Sequence, residues 1–176
     1  GNDVDSFWTN IINGKHGFGE ITKFDTTDLK VKIAAEVKDF DPEKYIEKNE
    51  IKRMDLFSQY AIAASTQAME ESGILGNVDP DRLGVYVSSG IGGMKTFETE
   101  TEKKITRGPS RISPLFIPMM IANIAAALVA IKYNAQGPCL PVVTACATGT
   151  HSIGEAFRAI KHGYADAIIA GGAEAS

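Results

Sequence analysis

The sequence predicts an α/β fold whose mainly parallel sheet is covered by helices on both faces. Apolar segments of strand length alternate with segments whose apolar residues recur at helical spacing. The strand segments, such as residues 83–88, are apolar at most positions rather than at every second one. Strands of that kind are buried on both faces, which is typical of parallel sheets between helices.

The first part of the chain predicts three helices and one short strand. In chain order we expect a helix over 3–13, a strand over 33–37, a brief helix opened by Pro42 and a long helix over 51–72. Gly14 and Gly73 follow the first and the last of these helices, as expected of helix ends. One face of the long helix is apolar, which predicts that it packs on the core.

The remaining elements alternate between strands and helices. We expect a strand over 83–88, a glycine loop over 90–93, a polar helix over 94–106, a proline-bounded loop over 108–118, a helix over 118–133, a strand over 139–145, a helix over 148–162 and a strand over 166–171. Pro118 suits the first turn of its helix. That helix is alanine-rich and lacks a polar face, so we expect it to be buried.

Cys146 lies where an apolar strand is predicted to run directly into a helix of small residues. A helix N-terminus has unpaired N–H groups and the positive end of the dipole, which favour a thiolate. A backbone N–H there can also bind the oxygen of a thioester that the sulfur attacks. The small neighbours Ala145, Ala147 and Gly149 leave room for a substrate. The alternative is a buried structural cysteine, which would be inert.

Further motifs accompany Cys146 in a fixed order. They are Lys52-Arg53-Met54-Asp55, Ser88-Ser89-Gly90-Ile91-Gly92-Gly93, the loop 108–118, Thr144-Ala145-Cys146-Ala147-Thr148-Gly149-Thr150-His151, and residues 165–174. In order and spacing this set resembles the N-terminal half of the type II β-ketoacyl-acyl-carrier-protein synthases, condensing enzymes of the thiolase-like superfamily. The segment around Cys146 is the most specific of these motifs.

The resemblance implies an acyl transfer followed by a decarboxylative Claisen condensation. Cys146 would take an acyl group from acyl carrier protein and join it to malonyl carrier protein, which elongates a fatty acyl chain. In this family two histidines, a lysine and further oxyanion groups lie in the second half of the chain. His16, His151 and His162 are not expected to replace them. No metal ion and no cofactor is expected.

Four other residues have roles that the resemblance implies. Ile91 would line the acyl pocket, and Phe116 would reach that pocket from the partner subunit of a homodimer. Core packing is the alternative for both residues. Lys52 and Arg53 would dock the acidic carrier protein, although Asn49 stands where a further basic residue is often found. A solvated helix face is the alternative for these two cations.

The resemblance also implies a thiolase-like fold in which two duplicated halves stack as five layers, α-β-α-β-α. Residues 1–176 would be the first half and carry the nucleophile, while the family's first strand and its C-terminal half would be absent. We see no internal repeat, as expected for one copy. We therefore expect this polypeptide alone to be unable to complete the condensation.

The net charge and the two cysteines limit the classes of partner and the cellular compartment that we expect. A net charge of −4 argues against nucleic acid, and no run of 18 apolar residues indicates a membrane span. Cys139 and Cys146 flank one predicted strand, about 23 Å apart at about 3.3 Å per residue, which is too far for a disulfide. Free thiols favour a cytoplasmic location.

Other functions remain open at this point. The glycine loop 90–93 follows a strand, but its spacing fits neither the P-loop nor the dinucleotide template, so phosphate binding is not favoured. A polyketide ketosynthase and a non-decarboxylating thiolase-like acyltransferase would share the fold. A non-catalytic chain-length partner would share it too, but that type lacks the nucleophile.

Overall fold

The computed structural model describes residues 1–176 and divides into two compact units, Gly1–Asp41 and Pro42–Ser176. The first unit has three elements: helix α1 (Val4–Ile12) and strands β1 (Phe18–Glu20) and β2 (Ile33–Ala35). The Asp3 carboxylate accepts the Ser6 N–H at 2.7 Å and caps α1. The strands pair antiparallel. The predicted helix is confirmed, the predicted strand is shorter than expected, and β1 was not predicted.

The second unit contains the remaining six helices and two strands. They are α2 (Lys48–Ile51), α3 (Leu56–Ser72), β3 (Leu83–Ser88), α4 (Met94–Arg107), α5 (Phe116–Met120), α6 (Ile124–Tyr133), α7 (Thr148–Lys161) and β4 (Ala167–Gly172). Short 3₁₀ turns lie at Pro42–Lys44, Pro80–Arg82, Pro109–Arg111 and Ala145–Ala147.

Strands β3 and β4 form the predicted parallel sheet, which helices cover on both faces. They pair in register from Leu83 opposite Ala167 to Ser88 opposite Gly172, and every residue of β3 is buried. On one face Val85 packs in the main core with residues of α3 and α6, among them Phe57 and Val129. On the other face Tyr86 packs with Ala156 and Ala159 of α7. The sequence-based prediction of an α/β fold with a buried parallel strand is therefore confirmed.

The strand predicted over 139–145 is wrong except at its first residue. Cys139 forms a single parallel bridge with Val85, and the Leu140 N–H donates to the Val85 carbonyl at 3.1 Å. Beyond that point the Val142 N–H donates to the Ser88 hydroxyl at 2.7 Å instead of to a backbone carbonyl. The ladder therefore ends here, and the chain can turn away from the sheet toward Cys146.

Two helix predictions also need correction. The long helix begins at Leu56 rather than at residue 51, because the Asp55 carboxylate caps it by accepting the Phe57 N–H at 3.5 Å. The predicted helix over 118–133 is two helices, because Ile121 is extended between α5 and α6. Pro118 lies inside α5, and α6 is buried on one side only, since Ile131 is 78% exposed.

Candidate active site

Cys146 occupies the 3₁₀ turn Ala145–Ala147, which leads directly into the fourteen-residue helix α7. The position predicted for it, at the start of a helix, is confirmed. Its side chain is exposed within residues 1–176, as an attack on a thioester requires. The Cys146 N–H has no acceptor within the chain, so a ligand oxygen can use it.

The backbone just before Cys146 is strained. Ala145 has φ 50°, in the left-handed region that residues with a β carbon rarely adopt, at a cost of about 1–2 kcal/mol. The Ala147 N–H donates to the Thr144 carbonyl at 3.1 Å, and the Thr144 N–H donates to the buried Thr148 hydroxyl at 3.0 Å. These two hydrogen bonds hold the strained turn, and the turn presents the sulfur to solvent.

Small and buried residues bring this turn to the carboxyl end of the sheet. The Ser88 hydroxyl is fully buried and also accepts from the Ser152 hydroxyl of α7 at 3.4 Å. A β carbon added to Gly172 would lie only 3.0 Å from the Cα of Gly149, so the absence of a side chain suits this close approach of β4 to α7. The first turn of α7 is thereby fixed against the ends of both strands.

The glycine loop 90–93 lies against the cysteine turn. A β carbon added to Gly90 would lie 3.4 Å from the Cα of Ala145 and 2.9 Å from the Glu174 carboxylate. Ile91, at the next position, is 53% exposed within residues 1–176. Cys146 and Ile91, the candidate nucleophile and the candidate pocket residue, thus lie on neighbouring segments.

Phe116 lies on a helix that touches the other end of the glycine loop. It is the first residue of α5, half-buried, with its ring centroid 6.1 Å from that of Phe97. The last residue of α5, Met120, accepts the Gly93 N–H at 2.8 Å through its carbonyl oxygen. The loop therefore joins the segment of Phe116 to the segment of Cys146.

Lys52 and Arg53 are exposed, but they lie in the turn between α2 and α3. The interpretation of residues 52–55 as the start of a surface helix is therefore wrong. Arg53 borders a surface groove whose lining also includes Glu43, Glu47 and Glu50, so this surface carries both charges. A second group of cations lines another surface cavity and consists of Lys103, Arg107 and Arg111. The sequence analysis missed this group, because a turn separates Arg111 from α4.

Two carboxylates near the loop were also missed as supporting residues. Asp55 is buried and accepts both the Thr96 N–H, at 3.1 Å, and the Thr96 hydroxyl, at 2.5 Å. An aspartate just before an apolar helix is a cap signal that could have identified it. Glu174 accepts hydrogen bonds from residues of the loop more than eighty positions earlier, and no local pattern announces such a contact.

A family model described as "Beta-ketoacyl synthase, N-terminal domain" matches residues 1–176. The chain belongs to the β-ketoacyl synthase family. Among its relatives, the 3-oxoacyl-[acyl-carrier-protein] synthase 2 of Staphylococcus aureus (strain N315) is 47% identical over 176 residues. That match covers 99% of this chain and 42% of the relative, so the chain spans less than half of the relative's length. The family resemblance drawn from the motifs is confirmed.

Solved ketosynthases share the fold of this synthase domain. One, described as the ishigamide ketosynthase/chain length factor, superposes with a TM-score of 0.88 at 27% identity, covering 98% of this chain and 44% of that one. Another is a type II polyketide synthase acyl-carrier protein in complex with its ketosynthase, with a TM-score of 0.76 at 27% identity over 80% of this chain and 40% of that one. The predicted thiolase-like fold is confirmed.

The three histidines and Cys139 lie in surroundings that differ from the exposed helix start at Cys146. His16 lies 6.0 Å from the Phe18 ring, His151 is 3.8 Å from the Glu155 carboxylate, and His162 caps the end of α7. Partial burial raises the pKa of the Cys139 thiol. Both cysteines are free, as predicted.

No three His, Cys, Asp or Glu side chains form a metal-binding group, and no helix is both long and apolar enough to cross a membrane.

Proposed function

We propose that this chain is the nucleophile-bearing part of a condensing enzyme that elongates fatty acyl chains on acyl carrier protein. The observation that carries the proposal is the exposed Cys146 at the start of α7, with an unused backbone N–H and the glycine loop beside it. An exposed sulfur can reach a thioester that is brought from outside. The small residues on either side of Cys146 leave the approach open.

The first half-reaction is a thioester exchange. The Cys146 thiolate attacks the acyl carbonyl carbon, the bond from that carbon to the carrier's sulfur breaks, and the carrier's thiolate leaves and takes up a proton. The Cys146 N–H would hydrogen-bond the oxyanion of the tetrahedral intermediate. The N-terminal end of α7 would favour the negative charge on that oxygen.

The second half-reaction forms the carbon–carbon bond. Malonyl carrier protein loses carbon dioxide, and the electron pair of the broken bond forms an enolate. The enolate carbon attacks the acyl group on Cys146, and the cysteine leaves as a thiolate. The product is a β-ketoacyl carrier protein longer by two carbons. We propose that two histidines outside residues 1–176 stabilise the enolate and the thioester oxyanion.

The acyl chain would extend along Ile91. About half of the Ile91 side chain is exposed to solvent although it is apolar. The loop that carries it lies against the cysteine turn. Phe116 would complete the pocket from the partner subunit of a homodimer. Its helix meets the same loop through the Gly93 N–H and the Met120 carbonyl, so the subunit contact and the pocket would share one loop.

The carrier protein would dock through Lys52 and Arg53. Both cations are exposed, and a solved ketosynthase with this fold is bound to an acyl-carrier protein. The acidic residues around the groove of Arg53 weaken a purely electrostatic match. The cations Lys103, Arg107 and Arg111 line a second surface for the same acidic partner, in which Lys103 already pairs with Glu100. A cytoplasmic location fits the two free thiols.

A polyketide ketosynthase is the second candidate, because solved structures of that class share the fold. Fatty acid synthesis is favoured by the 47% identity to a 3-oxoacyl-[acyl-carrier-protein] synthase 2. A chain-length partner without a nucleophile is disfavoured by the exposed Cys146. A thiolase-like acyltransferase would need the same cysteine but would release no carbon dioxide.

The test is a condensation assay on the protein expressed from its complete reading frame. Acyl and malonyl carrier proteins are supplied, carbon dioxide is measured, and the acylated peptide is located by mass. We expect release of carbon dioxide together with the β-ketoacyl product and acylation at Cys146. The product and the acylation should be lost in Cys146→Ala and kept in the control Cys139→Ala. Acylation of Cys146 without any carbon dioxide would favour the thiolase-like alternative. A β-ketoacyl product that still forms in Cys146→Ala would contradict the proposal.

A further inference from the structure

Glu174, just after β4, binds three donors of the glycine loop and its flank with one carboxylate. Oε2 accepts the Gly90 N–H at 2.9 Å and the Ile91 N–H at 3.3 Å, while Oε1 accepts the Ser89 hydroxyl at 3.0 Å. Glu174 itself borders solvent, where a carboxylate can be satisfied by water alone. Its oxygens are instead directed at consecutive residues of one loop.

The hydrogen bonds continue through Ser89 to the next glycine. The Gly92 N–H donates to the Ser89 hydroxyl oxygen at 2.8 Å, and that hydroxyl in turn donates to Glu174. Only the Gly93 N–H goes elsewhere, to the Met120 carbonyl. Three of the four N–H groups of loop 90–93 therefore depend on Glu174, directly or through one hydroxyl.

Glu174 can serve as an anchor because the strands fix its own backbone. The Ala173 N–H donates to the Ser88 carbonyl at 3.0 Å, which ties the residue before Glu174 to the end of β3. The loop, in contrast, contains three glycines, which have more conformational freedom than any other residue. A rigid carboxylate thus holds a segment that would otherwise sample many conformations.

We infer that Glu174 is a positioning residue for acyl-chain selection: it fixes the loop that carries Ile91 and so sets the space available to the bound chain. The inference rests on the proposed pocket role of Ile91. The N–H groups of Gly90 and Ile91 donate directly to Glu174, and the N–H of Gly92 reaches it through the Ser89 hydroxyl. Ile91 is therefore held on both sides. Glu174 would act through Ile91 and need not touch the substrate or the sulfur.

The test compares acyl chains of different length in the enzyme expressed from its complete reading frame. The readout is the ratio of kcat/KM for octanoyl and palmitoyl carrier protein, with carbon dioxide release as the signal. In Glu174→Ala we expect the preference for one chain length over the other to become about tenfold weaker. A tenfold change in this ratio corresponds to about 1.4 kcal/mol of lost discrimination between the two acyl chains. The rate at which iodoacetamide labels Cys146 should stay within about twofold, since the cysteine turn has its own hydrogen bonds.

Glu174→Gln separates hydrogen bonding from charge. Its carbonyl oxygen can still accept from Gly90 and Ile91, and its amide can donate to the Ser89 hydroxyl oxygen, so we expect the parent ratio. A Gln variant that behaves like the Ala variant would overturn the anchoring role. Ser89→Ala leaves Glu174 in place and removes only the relay to Gly92, so it should move the ratio in the same direction but less. It also keeps the inference testable if Glu174→Ala does not fold.

Glu155→Ala is the matched control, because it removes a half-buried carboxylate that pairs with His151 and Arg158 on α7. Its ratio should equal that of the parent. If the parent condenses and Glu174→Ala keeps the parent ratio, the inference fails while the proposed function stands. If the parent releases no carbon dioxide, the proposed function itself fails.

Discussion

Gly90 lies so close to Ala145 that a β carbon built on it would be in van der Waals contact with Ala145. A β carbon added at Gly90 would lie 3.4 Å from both the Cα and the carbonyl oxygen of Ala145, and 2.9 Å from the Glu174 carboxylate. Ala145 is also the residue with φ 50° that precedes Cys146. This close approach therefore joins the proposed acyl-pocket loop, Glu174 and the strained turn that carries Cys146.

The first prediction concerns this contact. Gly90→Ala should lower kcat/KM severalfold, because the added methyl lies too close to the Glu174 carboxylate and displaces it from the loop. Gly154 is a matched control, since a β carbon there meets nothing within 4 Å and the residue lies inside α7. Gly154→Ala should keep full activity and raise the free energy of unfolding by about 0.5–1 kcal/mol. Equal activities in the two variants would contradict this account.

The second prediction compares the two thiols. Partial burial raises the pKa of Cys139, so at neutral pH its reactive thiolate is scarce and its labelling should increase only in more alkaline solution. Both side chains are exposed to solvent, so the expected difference rests on the raised pKa of Cys139, and Cys146 should be alkylated first. Iodoacetamide labelling at a series of pH values, followed by peptide mass mapping, measures both rates. Equal, slow labelling of both cysteines would remove the case for an activated Cys146.

The third prediction concerns a buried carboxylate that holds the loop before α5. Glu100 is 6% exposed, and its oxygens accept from the Lys103 ammonium at 2.5 Å and the Ser113 N–H at 2.7 Å. These two hydrogen bonds, the one from Lys103 first, lower the pKa of Glu100. A carboxyl group whose pKa is lower in the folded protein than in the unfolded chain stabilises the fold at pH values above the unfolded-state pKa. That stabilisation is lost as the pH falls through the folded-state pKa.

Glu100→Gln should therefore lower the urea midpoint at about pH 7, and this effect should shrink in acid as the pH falls through the lowered pKa of Glu100 and the parent carboxyl is protonated too. Glu98→Gln is the control, because Glu98 pairs with Lys95 on the same helix but both side chains are largely exposed. Its midpoint should stay close to that of the parent at neutral pH and in acid. A Glu100→Gln effect that persists unchanged in acid would show that packing, rather than charge, is responsible.

The fourth prediction separates the two cationic surfaces. If Lys52 and Arg53 dock the carrier protein, the double charge reversal Lys52→Glu/Arg53→Glu should raise KM for acyl carrier protein by about fivefold at low salt, and less at high salt. Arg107→Glu/Arg111→Glu tests the second surface in the same way. Lys30→Glu, an exposed lysine of the first unit, is the control. If only the second pair raises KM, the docking role passes from Lys52 and Arg53 to that cluster.

The buried strand and the cysteine turn could be predicted because both depend on neighbouring residues. Residues 83–88 form an apolar run, and Cys146 stands between an apolar run and a small-residue helix. Residues 139–145 are a similar apolar run, but they do not continue as a strand. The Val142 N–H donates to the Ser88 hydroxyl of β3 instead of to a backbone carbonyl of the sheet. No local pattern could reveal that. The contacts of Glu174 with Gly90 and Ile91 join residues more than eighty positions apart and were equally hidden.

The last prediction tests the pocket directly. Ile91→Phe should shorten the acyl chains that the enzyme accepts, and kcat/KM for palmitoyl carrier protein should fall by about tenfold relative to octanoyl carrier protein. Ile91 is 53% exposed, so the larger ring can be accommodated without repacking the core, and the urea midpoint should barely change. Ile105→Phe is the control, since that residue is 78% exposed on α4. A parent-like chain-length profile with a stable fold would mean that Ile91 lies outside the path of the acyl chain.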